Sequence, residues 1–346
     1  MNLRIQEPRT PKTADELPVG GLVSVVEPDS PVRTFLQNRG NSSTADSIFR
    51  WLMLACALSI FAIVGLIFTE LVTHSEITLK KFGFHFFVGS AWDPVSNNYG
   101  ALPFIYGTIV SSLVALVIAV PLAVGVAVFL TEMCPKSLRG MLSFLTELLA
   151  AIPSVVYGLW GIFVLVPLLR GYVNPILIRL LGWTGLFVPP DFGIGMFAAG
   201  VILAIMILPI ISSLTREVMS AVPHMQREAV LALGATRWEM IRMGVLRNAR
   251  IGIVGSIILG LGRALGETMA VAMVIGSSPT ISKSLLAPAA TMASVIANEF
   301  AEASDDTYRS ALIEIGLALF LVTIVVNILA RLLVWAVTRG APARAS

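Results

Sequence analysis

Six runs of apolar residues, each long enough to cross a lipid bilayer as a helix, constrain this chain more than any other feature. They lie at about 49–73, 104–131, 141–169, 195–215, 251–277 and 310–337. A hydrocarbon core about 30 Å thick needs roughly 20 residues of helix. Each run is continuous, unlike the ~10-residue alternating segments of an outer-membrane barrel. Only 13% of the residues are charged and 56% are hydrophobic, whereas a soluble domain carries about 25% charge. The fold class is an all-α polytopic membrane protein with six transmembrane helices.

Basic residues set the orientation. With the N-terminus inside, the inner segments hold Arg33, Arg39 and Arg50, then Lys136 and Arg139, then the arginines from Arg216 to Arg250, then Arg339 and Arg344. The outer segments hold fewer: Lys80, Lys81, Arg170, Arg179, Lys283 and Arg309. Both termini are therefore expected in the cytoplasm, with the chain in the inner or plasma membrane. The net charge of +3 follows from such loops and calls for no nucleic-acid partner. Residues 1–48 are polar and rich in Pro and Ser, which reads as a disordered cytoplasmic tail; residues 341–346 form a second short tail around a permease domain at 49–340. Cys56 and Cys134 fall on different segments and suggest neither a disulfide nor a metal site.

The connections differ in character. Residues 74–103 read as an ordered outer loop with Trp92 and Tyr99 at the membrane–water interface, where such rings are enriched, and His85 on the surface. "NPILIRLLGW", 174–183, is too short to span and reads as an amphipathic helix on the outer face. Residues 291–303 either do the same or dip inward. The inner segment 216–250 carries two helical patterns divided by Gly234, a residue that takes positive φ at low cost. Thr236 and Glu239 form a capping-box pattern after it. The apolar residues Val230, Leu231, Leu233, Trp238, Ile241 and Val245 either fold the segment against its own bundle or dock a cytoplasmic partner.

Several chemistries have no residues to build on. The stretch "GSSPTISKS" places Ser277 and Ser282 where a phosphate-binding loop needs glycine, and HExxH, CxxC and GxSxG patterns are missing from the sequence. The chain is expected to be a transport subunit and not an enzyme, with no cofactor or metal of its own.

What remains is polar chemistry inside the apolar runs. Glu147 and Glu314 lie near the ends of theirs, but Arg263 and Glu267 stand in the middle of the fifth. Charges so placed usually face a bundle interior or a water-filled path. Two central charges cost roughly 5 to 7 kcal/mol, against roughly 3 to 7 kcal/mol recovered from the Leu, Ile and Val of the same run. At i,i+4 the two can pair. Either the pair only fixes packing, or Glu267 holds the guanidinium ready for an anion that takes its planar fork of donors. Gly255, Gly262 and Gly266 line one stripe beside them, where another helix could approach closely.

Glu228, Ala229, Val230 and Gly234, followed by Gly244-Val245-Leu246-Arg247, resemble the EAA loop of ABC-importer permeases, departing from it at Val230, Gly244 and Arg247. With "GATRWE", "GLGRALGETMAV", "GALPFIYGT" and "IPSVVYGLWG", the chain from Phe49 onward is similar to the phosphate-specific permeases, and its Thr-Met-Ala-Val ending to their C-type branch. The resemblance implies a type I ABC-importer (MetI-like) permease fold. It implies a translocation path shared with an A-type permease, a cytoplasmic ATPase dimer that uses ATP and Mg, and an extracytoplasmic phosphate-binding protein. Glu228, Ala229, Gly234 and Ala235 would then contact the ATPase, and Arg263 and Glu267 would line the path for inorganic phosphate. A permease for sulfate or molybdate is the nearest alternative, and an ungated anion channel a more distant one. In a background without Cys56 and Cys134, a cysteine at Asn97 should react with an impermeant thiol reagent applied outside whole cells, and one at Ser137 should not; reversed labelling would invert the topology.

Overall fold

A computed structural model describes residues 42–338. The expected tails lie outside those residues except for 42–48, which are helical. By its internal contacts the chain divides after Val64. Of the first unit, residues 42–64 are described, and they form one stretch of helix, the beginning of α1 (Ser42–His74).

The second unit holds the remaining architecture. After α1 come two short helices, α2 (Glu76–Phe82) and α3 (His85–Val88), and a two-stranded hairpin, β1 (Trp92–Asp93) paired antiparallel with β2 (Asn98–Tyr99). Membrane-length helices follow as α4 (Leu102–Met133), α6 (Ser154–Thr184), α7 (Met196–Ser220), α9 (Arg237–Gly266) and α12 (Asp306–Thr338). Between them lie α5 (Lys136–Ala151), α8 (His224–Ala232), α10 (Met269–Val274) and α11 (Met292–Glu299). With α1, six helices among the described residues are long and apolar enough to cross a membrane.

The third crossing is not the 141–169 run. Pro153 cuts that run, because proline lacks an N–H and pushes the residue before it out of the helical region. Ile152 is accordingly extended, with φ −66° and ψ 130°. The first half of the run becomes α5, which buries no residue fully. The second half continues through the 174–183 stretch as one helix, α6, so the outer amphipathic helix expected there is the end of the crossing. Arg170 and Arg179, expected in an outer loop, therefore sit on α6 itself. Two π-helical turns, Gly161–Leu165 and Leu169–Val173, interrupt its α-helical pitch.

Helix α7 is the centre of the bundle, with Ile202, Leu203, Ile207 and Ile211 all fully enclosed. Lipid is as apolar as leucine, so helices gain little from hiding hydrophobic surface from one another, and close packing of small residues does the work. Along α4, Ala115, Ala119 and Ala123 are completely buried in the core cluster shared with α7. On α7, a Cβ at Gly200 would come within 2.5 Å of Val114. On α9, Gly252, Ser256, Gly260 and Ala264 recur at every fourth position; a Cβ at Gly252 would meet Val218 at 2.3 Å and one at Gly260 would meet Ile211 at 2.7 Å. Ser256 adds a hydroxyl contact to Thr215 at 2.8 Å.

At the opposite end from residues 221–246, the 74–101 segment is packed against the chain's own core. Tyr99 is buried and stacks on Tyr308, while Trp92 packs edge-on against Tyr99 and Phe104. Trp92 Nε1 and Tyr308 Oη both donate to Glu299 Oε2, at 2.9 and 2.6 Å. His85 is exposed. Residues 291–303 do not form a surface helix either. Thr291 and Ser294 make a capping box, Met292 and Ser294 are fully buried, and the Met292 N–H donates to Thr108 Oγ1 at 2.9 Å.

One contact decides whether α4 and the chain before α11 can meet: a Cβ on Gly107 would sit 2.1 Å from the Ala290 carbonyl oxygen. Gly107→Ala should therefore push the backbone apart and lower stability by about 1–3 kcal/mol. Gly125→Ala, in the same helix with open space around it, should be neutral. Thermal unfolding of the detergent-purified variants measures the difference.

Candidate translocation site

The fifth crossing breaks where the charges stand. Helix α9 ends at Gly266; Glu267 is extended, with φ −70° and ψ 129°, and α10 starts afresh at Met269. Broken helices are tolerated at membrane depth only where protein or a polar cavity takes up the freed backbone groups. Here Glu267, 8% exposed, turns back to accept from the Ala270 N–H at 3.4 Å. Its negative charge lies at the N-terminal end of α10, where the helix dipole favours it. Thr268 Oγ1 donates to the Gly266 carbonyl at 3.3 Å.

This geometry corrects the expected Arg263–Glu267 pair. An i,i+4 contact needs both residues in one helix, and the break removes Glu267 from α9. Arg263 remains in the last turn of α9 and is exposed. Among the described residues it forms no ion pair and no hydrogen bond. A guanidinium carries five donors in a planar fork, and none of them is taken up by a partner among the described residues. The C-terminal dipole of α9 favours the cation without neutralising it.

The glycine stripe needs the same correction. Gly255, Gly262 and Gly266 have nothing within 4 Å of an added Cβ, so no helix among the described residues packs closely on them. They share the bare side of α9 with exposed Leu259 and Arg263. The glycines that do pack inside the chain are Gly252 and Gly260. Their signal in the sequence is a small residue at every fourth position, Gly252, Ser256, Gly260 and Ala264.

The segment after α7 divides its apolar residues between two faces. Val230, Ile241 and Val245 join a core cluster with Met219 and Ala127. Glu228, Ala229, Leu231 and Trp238 are exposed, and Leu233 is 88% exposed. Gly234 adopts φ +82°, the left-handed bend expected of it, with open space around it. Ala235 is half-buried. Thr236 and Glu239 complete a capping box, Glu239 Oε2 accepting from the Thr236 N–H at 2.8 Å. One face thus folds against its own bundle, and the other stays exposed.

Sequence reasoning missed what anchors this element. Arg227 pairs with Glu132 at 3.0 Å, with side chains 12% and 8% exposed, and donates to the carbonyls of Met219 and Val222. Glu147 on α5 pairs with Arg216 at 2.7 Å, so it ties helices together. Glu314 is fully buried, and neither carboxylate oxygen has a partner. Such pairs join residues far apart in sequence, and no local spacing announces them.

Residues 119–339 match the family model described as "Binding-protein-dependent transport system inner membrane component". The chain belongs to this family. Within it, the chain is 45% identical over 307 residues to the phosphate transport system permease protein PstC of Mesorhizobium japonicum, covering 88% of this chain and 92% of that one. The protein of the same name from Haemophilus influenzae is 46% identical over 298 residues, covering 85% and 94%. The fold of the family member is seen also in a chain of a bacterial ABC transporter that imports the acidic polysaccharide alginate, with TM-score 0.53, 19% identity, and 84% and 99% coverage.

The Arg227–Glu132 pair gives this family member a testable hinge point. Removing one partner of a well-enclosed ion pair leaves the other charge uncompensated, at a cost of about 3–5 kcal/mol. Glu132→Gln should therefore raise amide hydrogen exchange in residues 224–232 by more than about tenfold. Replacing both partners by leucine should restore part of the protection. Unchanged exchange in Glu132→Gln would show that the carbonyl contacts alone hold α8.

Proposed function

We propose that this chain is the membrane permease subunit of an ATP-driven phosphate importer. The observation that carries the reading is the unpaired guanidinium of Arg263 beside an interrupted membrane helix, in a chain whose relatives over most of its length are named phosphate transport permeases. A phosphate oxyanion is acceptor-rich, and a planar fork of N–H groups binds it in a way a point-charge ammonium does not. Half-helix ends facing a site at membrane depth are a recurrent solution for ion and substrate sites in transporters.

In this reading the bare side of α9, with Gly255, Gly262 and Gly266, faces a second permease subunit of the A type. The two chains enclose the path, and Arg263 lies on its wall. The exposed surface of Glu228, Ala229 and Leu233, with half-buried Ala235 beside it, docks a cytoplasmic ATPase dimer, and the Gly234 bend sets the angle of that surface. That end of the molecule faces the cytoplasm, as do both termini. An extracytoplasmic phosphate-binding protein delivers the ion, and ATP and Mg act on the ATPase alone. Glu267 is a positioning residue: its oxygen caps α10 and keeps the break open, so that Arg263 stays clear of a carboxylate.

Phosphate uptake by complexes reconstituted in proteoliposomes tests the proposal. Arg263→Ala should abolish uptake, and Arg263→Lys should reduce it at least about tenfold, since it keeps the charge and loses the fork. The permease pair should still assemble in both. Glu267→Gln retains an acceptor oxygen and should transport better than Glu267→Ala. Near-normal uptake by Arg263→Lys and Arg263→Ala would remove Arg263 from the path. Uptake that favours sulfate or molybdate over phosphate would change the substrate.

A further inference from the structure

A second cationic site lies far from the broken helix in sequence and owes nothing to it. Where the ends of α4, α5 and α7 converge there is a cavity of about 270 Å³, lined by Leu130, Thr131, Arg139, Ser143, Arg216 and Ser220. Two guanidiniums and three hydroxyls surround a space large enough for several water molecules, each of which takes about 30 Å³ in the liquid.

The donors of this cavity are under-used. Arg139 Nη2 donates to the Thr131 carbonyl at 2.8 Å, which fixes the guanidinium beside the cavity wall. Its Nε, and the Thr131 Oγ1, are shielded from solvent and have no partner. Buried polar atoms in native proteins are almost always satisfied, so two orphans around one cavity point to a missing acceptor. Arg216 Nη2 donates to Glu147 at 2.7 Å, the one hydrogen bond of its guanidinium among the described residues. Glu147 cancels one of the two positive charges and leaves the cavity a net cation.

The shortage is of acceptors with negative charge. A tetrahedral phosphoryl group supplies up to three oxygens at angles that two guanidinium forks and flanking hydroxyls can reach together. We propose that the cavity between α4, α5 and α7 binds an anionic phosphoryl group. Its effect would be mechanical. Helix α5 buries no residue fully and is held by polar tethers: Arg139 to Thr131, Glu147 to Arg216, and the Tyr157 hydroxyl to the Leu149 carbonyl at 2.7 Å. A bound anion would add bridges from α5 to α4 and α7, next to the Glu132–Arg227 pair that holds α8.

Two sources share this chemistry. Exposed Leu138, Met141, Phe144 and Leu148 give α5 the apolar face of a helix that lies in lipid, so the headgroup of an anionic phospholipid is within reach. Free inorganic phosphate is the other source.

The test uses the full chain carrying Arg263→Ala, so that the proposed path residue does not respond. The delipidated protein in maltoside detergent is heated with inorganic phosphate, with chloride at the same ionic strength, and with mixed micelles containing phosphatidylglycerol or phosphatidylcholine. Occupancy should raise the unfolding midpoint by about 3–5 °C over the chloride and phosphatidylcholine controls. A shift with phosphatidylglycerol alone assigns a headgroup, and a shift with inorganic phosphate alone assigns the free ion. Arg139→Gln should abolish the shift. Because that variant also loses the Thr131 tether, Ser143→Leu serves as a second: it fills the cavity and leaves both arginines in place, and it should abolish the shift too. No shift in the parent, or a shift that survives Ser143→Leu, overturns the proposal. Either result leaves the role of Arg263 untouched.

Discussion

Backbone hydrogen bonding in a medium without water governs this molecule. An unsatisfied N–H or C=O in hydrocarbon costs several kcal/mol, so any departure from continuous helix must be enclosed by protein. The break at Glu267–Thr268 is one such departure. The irregular stretch from Gly276 to Thr291 is tied at its two ends, where Gly276 pairs with Ala289 as an isolated bridge and the Ala289 N–H donates to the Ile275 carbonyl at 3.0 Å, while Ser277, Thr280, Ile281 and Lys283 between them are exposed. Gly195 donates to the Val274 carbonyl at 3.0 Å, which ties the start of α7 to the end of α10. The small-residue packing of α4, α7 and α9 brings these irregular segments close enough to satisfy one another.

The two ends of the bundle use different physics. At the 74–101 end, aromatic rings make a core cluster with Ala303, Leu312 and Ile315. At the other end, arginines carry the connections: Arg139 and Arg227 both reach α4, and Arg216 reaches α5. Apolar packing is indifferent to small rotations, whereas a guanidinium bond to a carbonyl or carboxylate has a preferred direction. The arginine-held end therefore fixes the orientation of α8, which buries no residue fully, more tightly than its half-buried Val230 could.

Most of the fold was legible because lipid allows few alternatives. The crossings near 104–131, 195–215 and 310–337 match α4, α7 and α12, and Gly234 with the Thr236 capping box marked its bend correctly, since both signals are local. What failed had non-local causes. Pro153 was read as part of a run because 141–169 is apolar throughout, although the restriction it places on Ile152 was available. The Arg263–Glu267 pairing assumed that an apolar run is one helix. Gly266 and Glu267 looked like helix interior, and the break becomes visible only with the tertiary contacts that support α10. The candidate residues Arg263 and Glu267 stand out by charge alone, because an ionisable side chain within an apolar run needs no structure to be noticed.

The first crossing is the opposite case. None of the strongly apolar window of α1 is buried within this chain, and residues such as Leu52, Leu58, Phe61 and Leu66 stand open along it. Its place in the membrane is secured by composition and not by shape. At Leu52, Leu58, Phe61 and Leu66 an apolar substitution finds open space among the described residues, whereas an added Cβ at Gly107, Gly200, Gly252 or Gly260 meets a packed neighbour. Further along α1 the Phe68 ring packs 5.7 Å from that of Phe320, so one polypeptide answers to two constraints: solvent in most of its first crossing, geometry in the rest.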